Sequence, residues 1–360
     1  MRVRPAVGPI PRTVVMQPHT LCPLDCTYCY LPDRRKNLRM TVETAQAVAQ
    51  EVNRWYTRAP QEGFCMLWHG SEPLALGVEH LAKLIEPFNP GVTHSVQTAG
   101  IHIDDAWCDY FQQIGMRVGI SLDGPRGMNT RRKLLGGQET WQRTVDGCAL
   151  LRARGIAFTA ICVVTDPDPA DARTLLDFFT ELGTGSLGIN VEETEGINRA
   201  PRQHCGRITE FWQTLFDEAG NYRMSVREVN RVTDYLATRG RDAARVLIDP
   251  LPTVSYKGDV TMIAPELASF TDPHYGTFAS GNVHDTPLSE IVLKARGVPW
   301  IRDYLAGVAN CATRCAIFDF CGGGHASNKH FEGVGLTGTV TEHCTSTRMA
   351  LLAGALDSLH

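Results

Sequence analysis

Three cysteines in the run Leu21-Cys-Pro-Leu-Asp-Cys-Thr-Tyr-Cys-Tyr30 are spaced C-x3-C-x2-C. Thiolates this close on one loop can hold three corners of a cubane iron–sulfur cluster, one iron to each of Cys22, Cys26 and Cys29. The remaining iron then has no protein ligand and can take a substrate or cofactor directly, which a fully ligated electron-transfer cluster cannot do. Zinc fits the spacing less well, because it prefers paired C-x2-C halves and four ligands close at hand.

A second set lies toward the C-terminus. Cys311-Ala-Thr-Arg-Cys315 is followed by Cys321-Gly-Gly-Gly-His325 and, past a further loop, by Cys344, enough for a complete tetrathiolate site. A closed site suits electron transfer or support, and the glycines after Cys321 let backbone amides approach cluster sulfurs. The local spacing also permits a structural zinc. Cys65, Cys108, Cys148, Cys162 and Cys205 read as buried thiols, with Cys205 alternatively joining His325 in a further small metal site.

Such ligands need a scaffold. A chain of 360 residues, 43% hydrophobic and 21% charged, can bury one large core or two moderate ones. No apolar run is long enough to span a membrane, and Arg2 and Arg4 have no apolar stretch behind them to make a secretory signal. Twelve cysteines without such a signal point to reduced thiols and metal binding in the cytoplasm. A net charge of −4 with mixed signs gives no footprint for nucleic acid.

Short apolar, β-branched runs alternate with helical patterns, the signature of βα units around a parallel sheet. The strands are expected at Thr13 to Met16, Phe64 to His69, Val92 to Gln97, Met116 to Leu122, Phe158 to Thr165 and Ser186 to Val191. Helices are expected from Thr41 to Arg58, Val78 to Phe88, Asp104 to Ile114, Thr140 to Arg154 and Pro169 to Leu182. In the first, Val42, Ala45, Val48, Val52 and Trp55 share one face behind a Thr41 N-cap. The order places the cysteine loop directly after the first strand.

With Tyr28 just before the third cysteine, this loop resembles that of the radical S-adenosylmethionine (SAM) superfamily. The resemblance implies an α/β fold, a partial (β/α)6 TIM barrel whose C-terminal rim carries the site. It also implies a [4Fe–4S] cluster that chelates the methionine end of SAM, cleaves the sulfonium with one electron, and yields a 5′-deoxyadenosyl radical that takes a hydrogen atom from substrate. Three strand ends match family stretches: His69-Gly-Ser-Glu-Pro73 is similar to Gly-Gly-Glu-Pro, with Ser71 for the second glycine; Gln97-Thr-Ala-Gly100 to Gln-Thr-Asn-Gly; and Ser121-Leu-Asp-Gly-Pro125 to Ser-Leu-Asp-Gly-Pro. The implied SAM contacts are Tyr28, Gly70, Ser71, Glu72, Gln97, Ser121 and Asp123, with Arg131 or Arg132 gripping the carboxylate through paired hydrogen bonds. Alone, each stretch is an ordinary turn, and His69 reads as a framework residue.

The C-terminal cysteines resemble the SPASM or twitch extension of peptide-modifying members, implying an auxiliary [4Fe–4S] cluster on Cys311, Cys315, Cys321 and Cys344. The implied division is a barrel over 12–200, a small cysteine-rich domain over 201–346, and a C-terminal helix over 347–360. Ile263-Ala-Pro-Glu-Leu267 and Tyr275-Gly-Thr-Phe-Ala-Ser-Gly-Asn-Val283 resemble cyclophane-forming peptide maturases, which join an aromatic ring carbon to a side-chain Cβ in a ribosomally made precursor. Glu266 is the candidate base. The neighbouring alternatives are formylglycine formation, as in sulfatase maturases, a thioether link, or epimerisation. A donor of the flavodoxin or ferredoxin type would supply electrons. Strand-like sequence begins near Thr13, so leader recognition is expected from a separate protein or from the barrel and C-terminal surfaces.

Overall fold

The computed structural model describes residues 4–199, 207–238 and 246–359; Cys205 lies outside them. Six strands, β1 (Thr13–Met16), β2 (Cys65–Trp68), β3 (Thr93–Thr98), β4 (Arg117–Ser121), β5 (Phe158–Val164) and β6 (Ser186–Val191), pair in chain order, each parallel to the next. The crossovers are α1 (Val42–Arg58), α2 (Val78–Ile85), α3 (Asp105–Ile114), α4 (Trp141–Ala153) and α5 (Pro169–Glu181). Each expected element is present, with ends shifted by a few residues.

The helix starts follow from side-chain chemistry. The Thr41 side chain accepts from the Thr44 amide, Asp104 from Trp107 at 2.9 Å, and Asp168 with Asp171 forms a reciprocal capping box. Ala45, Val48, Val52 and Trp55 of α1 are buried as its periodicity requires. β2 and β3 alternate between buried and half-exposed residues, with Met66, Trp68 and Val96 buried, whereas Leu67, Ser95 and Gln97 line cavities. The sheet thus covers one face with helices and turns the other toward a half-open lumen.

The C-terminal region continues this sheet. Short strands β8 (Thr253–Val254), β9 (Asp259–Thr261) and β10 (Ala279–Asn282) extend it beyond β1, and β7 (Ser225–Val226) beyond β6, giving ten strands in the order β10-β9-β8-β1-β2-β3-β4-β5-β6-β7. β8 is parallel to β1, and β9 and β10 return antiparallel. The backbone edge of β1 is therefore paired instead of open. One hydrophobic core runs through both parts, from Val14 and Trp68 to Val254, Phe278 and Trp300.

The final helix runs over Ala350–Asp357, shorter than the expected span, behind a π turn at Thr345–Met349. Trp212, on the helix Ile208–Ala219, donates to the Ser346 carbonyl at 3.0 Å within that turn. Gly354 allows the close approach of these two helices, since a Cβ there would lie 2.7 Å from the Thr209 carbonyl. Among the described residues no helix is long and apolar enough to cross a membrane.

Candidate active site

The loop after β1 is fixed to its neighbours by backbone hydrogen bonds. Asp25 and Thr27 donate to the carbonyls of Lys133 and Arg131 at 2.7 and 3.2 Å, and Cys22 to that of Arg34 at 2.7 Å. The turn after β2 is joined to it as well: Ser71 Oγ donates to the Thr20 carbonyl at 2.6 Å, and His19 Nε2 pairs with the Glu72 carbonyl at 2.7 Å. Ser71 keeps a left-handed φ of 56°, the conformation a glycine would take without strain, and its hydroxyl bond compensates.

These contacts close a cavity of about 300 Å³ at the C-terminal ends of the strands. Cys22, Cys26, Cys29, Tyr28, Ser71, Glu72, Gln97, Ser121, Arg132 and Glu266 all line it, so ten of the residues singled out from sequence converge on one wall system. Glu72 is buried and accepts from the Thr98 hydroxyl at 2.5 Å and the Ala99 amide at 2.7 Å, yet burial still pushes its carboxyl up. Gln97 Nε2 donates to Ser121 Oγ at 2.9 Å. Gly119 is needed beside it, because a Cβ there would stand 2.3 Å from Gln97 Oε1.

The two arginines separate. Arg132 lines the cavity and donates to the Tyr28 hydroxyl at 2.9 Å, and that hydroxyl donates to Asp123 Oδ2 at 2.7 Å. Arg131 instead pairs with Glu192 and donates to Thr165 Oγ1 at 3.1 Å. Asp123 stands behind Tyr28, buried and accepting from the Val163 amide at 3.1 Å, and acts on the cavity through the tyrosine. Gly70 lies outside this cavity, at a φ of 87° against Gln17.

The far wall was not foreseen. Glu192, Glu193 and Glu195 follow β6 directly and line this cavity, as do Tyr30 and His69. The available signal was position: Glu192-Glu193-Thr194-Glu195 occupies the same strand-end rim as the three recognised stretches. Glu193 forms an ion pair with His343 at 2.7 Å, which holds its carboxyl low and the imidazole high. Burial, and then repulsion from Glu193, raises Glu195. Glu266, on the short turn Pro265–Leu267, is pushed up to about 7 by burial, with Glu193 adding repulsion. His69 is held near 4 by burial and is a neutral imidazole.

The thiols suit a cluster. All eleven described cysteines are free, and burial pushes the Cys22 and Cys26 thiols up, so metal binding would displace their protons. Leu24, Ala99, Ile101 and Leu134 surround the three with apolar groups. Arg34 pairs through Nη2 with Asp25 and also interacts with the Cys29 thiol, placing a cation beside the loop as an anionic cluster would require. Among the described residues no three His, Cys, Asp or Glu side chains converge to hold one metal ion. A cubane asks for a wider set, since each cysteine binds a different iron.

At the C-terminal site, Cys311 lies in the helix Pro299–Arg314, Cys315 caps it, and Cys321 and Cys344 come from two short helices. The Cys321 thiol is drawn down to about 6, first by a hydrogen bond from Cys344, then by the Gly323 and Gly324 amides. Gly322, Gly323 and Gly324 all have positive φ, a run that only glycine sustains. His325 packs against His343 at 5.2 Å and contacts Arg348 Nη2 at 3.1 Å. Cys108, Cys148 and Cys162 sit in the core, and Cys65 touches Ser95 Oγ at 3.4 Å.

A parallel half-barrel with three free thiols after its first strand, all lining one half-open cavity, defines a partial-barrel metal-cluster enzyme. The profile of the Radical SAM superfamily matches residues 16–179. An uncharacterised protein of Synechocystis sp., sll1766, is 30% identical over 352 residues, 92% of this chain and 87% of that protein. The chain belongs to the radical SAM superfamily. The cofactors of that superfamily are a [4Fe–4S] cluster and SAM.

A serine-type anaerobic sulfatase-maturating enzyme of Klebsiella aerogenes is 29% identical over 200 residues, 52% of this chain and 49% of that enzyme. The chain thus spans about half the length of that curated relative. Among solved structures, native anSMEcpe with bound AdoMet superposes with a TM-score of 0.74 at 20% identity, covering 96% of this chain and 97% of that one. Streptococcus suis SuiB bound to S-adenosylmethionine gives 0.63 at 14% identity, covering 94% and 78%. At these identities the likeness is one of fold.

Proposed function

We propose that this enzyme matures a ribosomally made precursor peptide by an oxidative crosslink, joining an aromatic ring carbon to a neighbouring side-chain Cβ. The observation that carries the reading is Glu266: it comes from the stretch that resembles cyclophane maturases, it lines the same cavity as Cys22, Cys26 and Cys29, and its carboxyl is tuned to about 7. A base near the working pH is what a ring needs when it loses a proton on regaining aromaticity. Peptide-bound neighbours, anSMEcpe with the Cp18Cys peptide and SuiB with its precursor SuiA, support a peptide as substrate.

In this reading Cys22, Cys26 and Cys29 hold the cluster, which with SAM supplies the hydrogen-abstracting radical when both are bound. Tyr28, Ser71, Glu72, Gln97 and Ser121 form the SAM bed, with Gly70 shaping the turn that carries Ser71 and Glu72, and Arg132 grips the carboxylate, because Arg131 is engaged with Glu192. Asp123 orients Tyr28. Cys311, Cys315, Cys321 and Cys344 hold the auxiliary cluster, which gives the second electron a place to go. The barrel is assigned to 12–200 and the cluster region to 201–346, in a cytoplasmic enzyme reduced by a flavodoxin or ferredoxin. A separate leader-binding protein is a further expected partner.

Mass spectrometry of a co-expressed precursor tests this. A crosslinked product loses two hydrogens and resists fragmentation between the joined residues. Formylglycine formation is the second reading, favoured by the sequence match to sulfatase-maturating enzymes; it gives a carbonyl that hydrazine reagents label.

A further inference from the structure

Lys329, in the helix Ala326–Phe331, is 1% exposed. Among the described residues its ammonium forms no ion pair with a carboxylate; it lies 3.8 Å from Cys311 Sγ and 5.5 Å above the Tyr304 ring. A Cβ on Gly307 would come within 2.1 Å of the Leu336 carbonyl and 2.9 Å of Nζ, so glycine there leaves room for both. A cation removed from water is costly unless an anion faces it, and a neutral thiol with an aromatic face is a poor substitute. A cubane on four thiolates is such an anion, and nearby charge and hydrogen bonds to its sulfurs set its potential.

We propose that Lys329 is the buried counter-charge of the C-terminal cluster and holds its reduction potential up, so that this cluster accepts electrons. The inference rests on the assignment of that cluster to Cys311, Cys315, Cys321 and Cys344. Lys329 is a positioning residue, acting on the cluster through Cys311. The reduced cluster carries one more negative charge than the oxidised one, so a fixed cation favours the reduced form more.

The test is a potentiometric titration of the anaerobically reconstituted full chain, following the electron paramagnetic resonance signal that SAM leaves unchanged. Lys329→Met should keep its iron and shift the midpoint down by at least a tenfold change in the one-electron equilibrium, about 59 mV. Lys329→Arg should stay within that margin of the wild type. An iron-loaded Lys329→Met with an unmoved midpoint overturns the proposal. If Lys329→Met loses the iron, Lys329→Gln is titrated against the same two outcomes. Loss of iron from both neutral variants but not from Lys329→Arg supports a counter-charge, and loss from all three marks a packing residue and overturns it. A wild type without any SAM-insensitive signal refutes the cluster assignment itself, whereas an unmodified peptide with a normal midpoint refutes only the crosslinking reading.

Discussion

Glu266 carries the sharpest consequence at the scale of single residues. Its carboxyl holds a proton up to about 7, so the base form accumulates as pH rises through that value. We expect kcat/KM for the crosslinked product to climb with pH along a limb near 7. Glu266→Gln should flatten that limb and lower the rate by about 10²-fold or more, while deoxyadenosine formation continues. An unaltered limb in the variant would assign the proton to another group, with Glu195 next in line. Stability runs the other way: the folded state keeps a proton that the unfolded chain has released, so ionising Glu266 lowers stability as pH rises from the ordinary carboxylate range to about 7. At this scale the sequence was informative where ligand spacing is local, as with Cys22, Cys26 and Cys29. It left Arg131 and Arg132 undivided because adjacent residues diverge only once Glu192, 61 positions beyond Arg131, takes that one.

The loop around Cys321 shows what an element must supply. Gly323 has a φ of 107°, and a Cβ there would meet Val308 Cγ1 at 2.8 Å. Gly323→Ala should therefore cost about 1–3 kcal/mol in backbone strain alone and release iron from the C-terminal site before the N-terminal one. Iron and sulfide counts with a thermal melt read both effects; full iron content would show that the loop relaxes. The barrel elements were legible because each strand and helix carries its own period and cap, as Thr41 and Asp104 do for α1 and α3. The short strands β8 to β10 were not legible, since pairs such as Thr253–Val254 become strands only by pairing with β1.

Across the whole molecule, the sheet and core join the barrel to the cluster-bearing region. Phe278 is fully buried, edge-on to Trp300 at 5.6 Å and to His330 at 4.8 Å. Phe278→Ala should cost about 3–5 kcal/mol and lower the unfolding transition of both parts together. Two separate calorimetric transitions, only one of them shifted, would show independent units. That junction was hidden in the sequence because it depends on contacts between segments far apart in the chain, such as Val15 with Thr253. The most direct measurement of the central claim is deoxyadenosine release from SAM by anaerobically reduced protein. Wild type and a variant with Cys311, Cys315, Cys321 and Cys344 replaced by Ala should both release it, and replacing Cys22, Cys26 and Cys29 with Ala should abolish it. Release by that last variant at the wild-type rate would contradict the account.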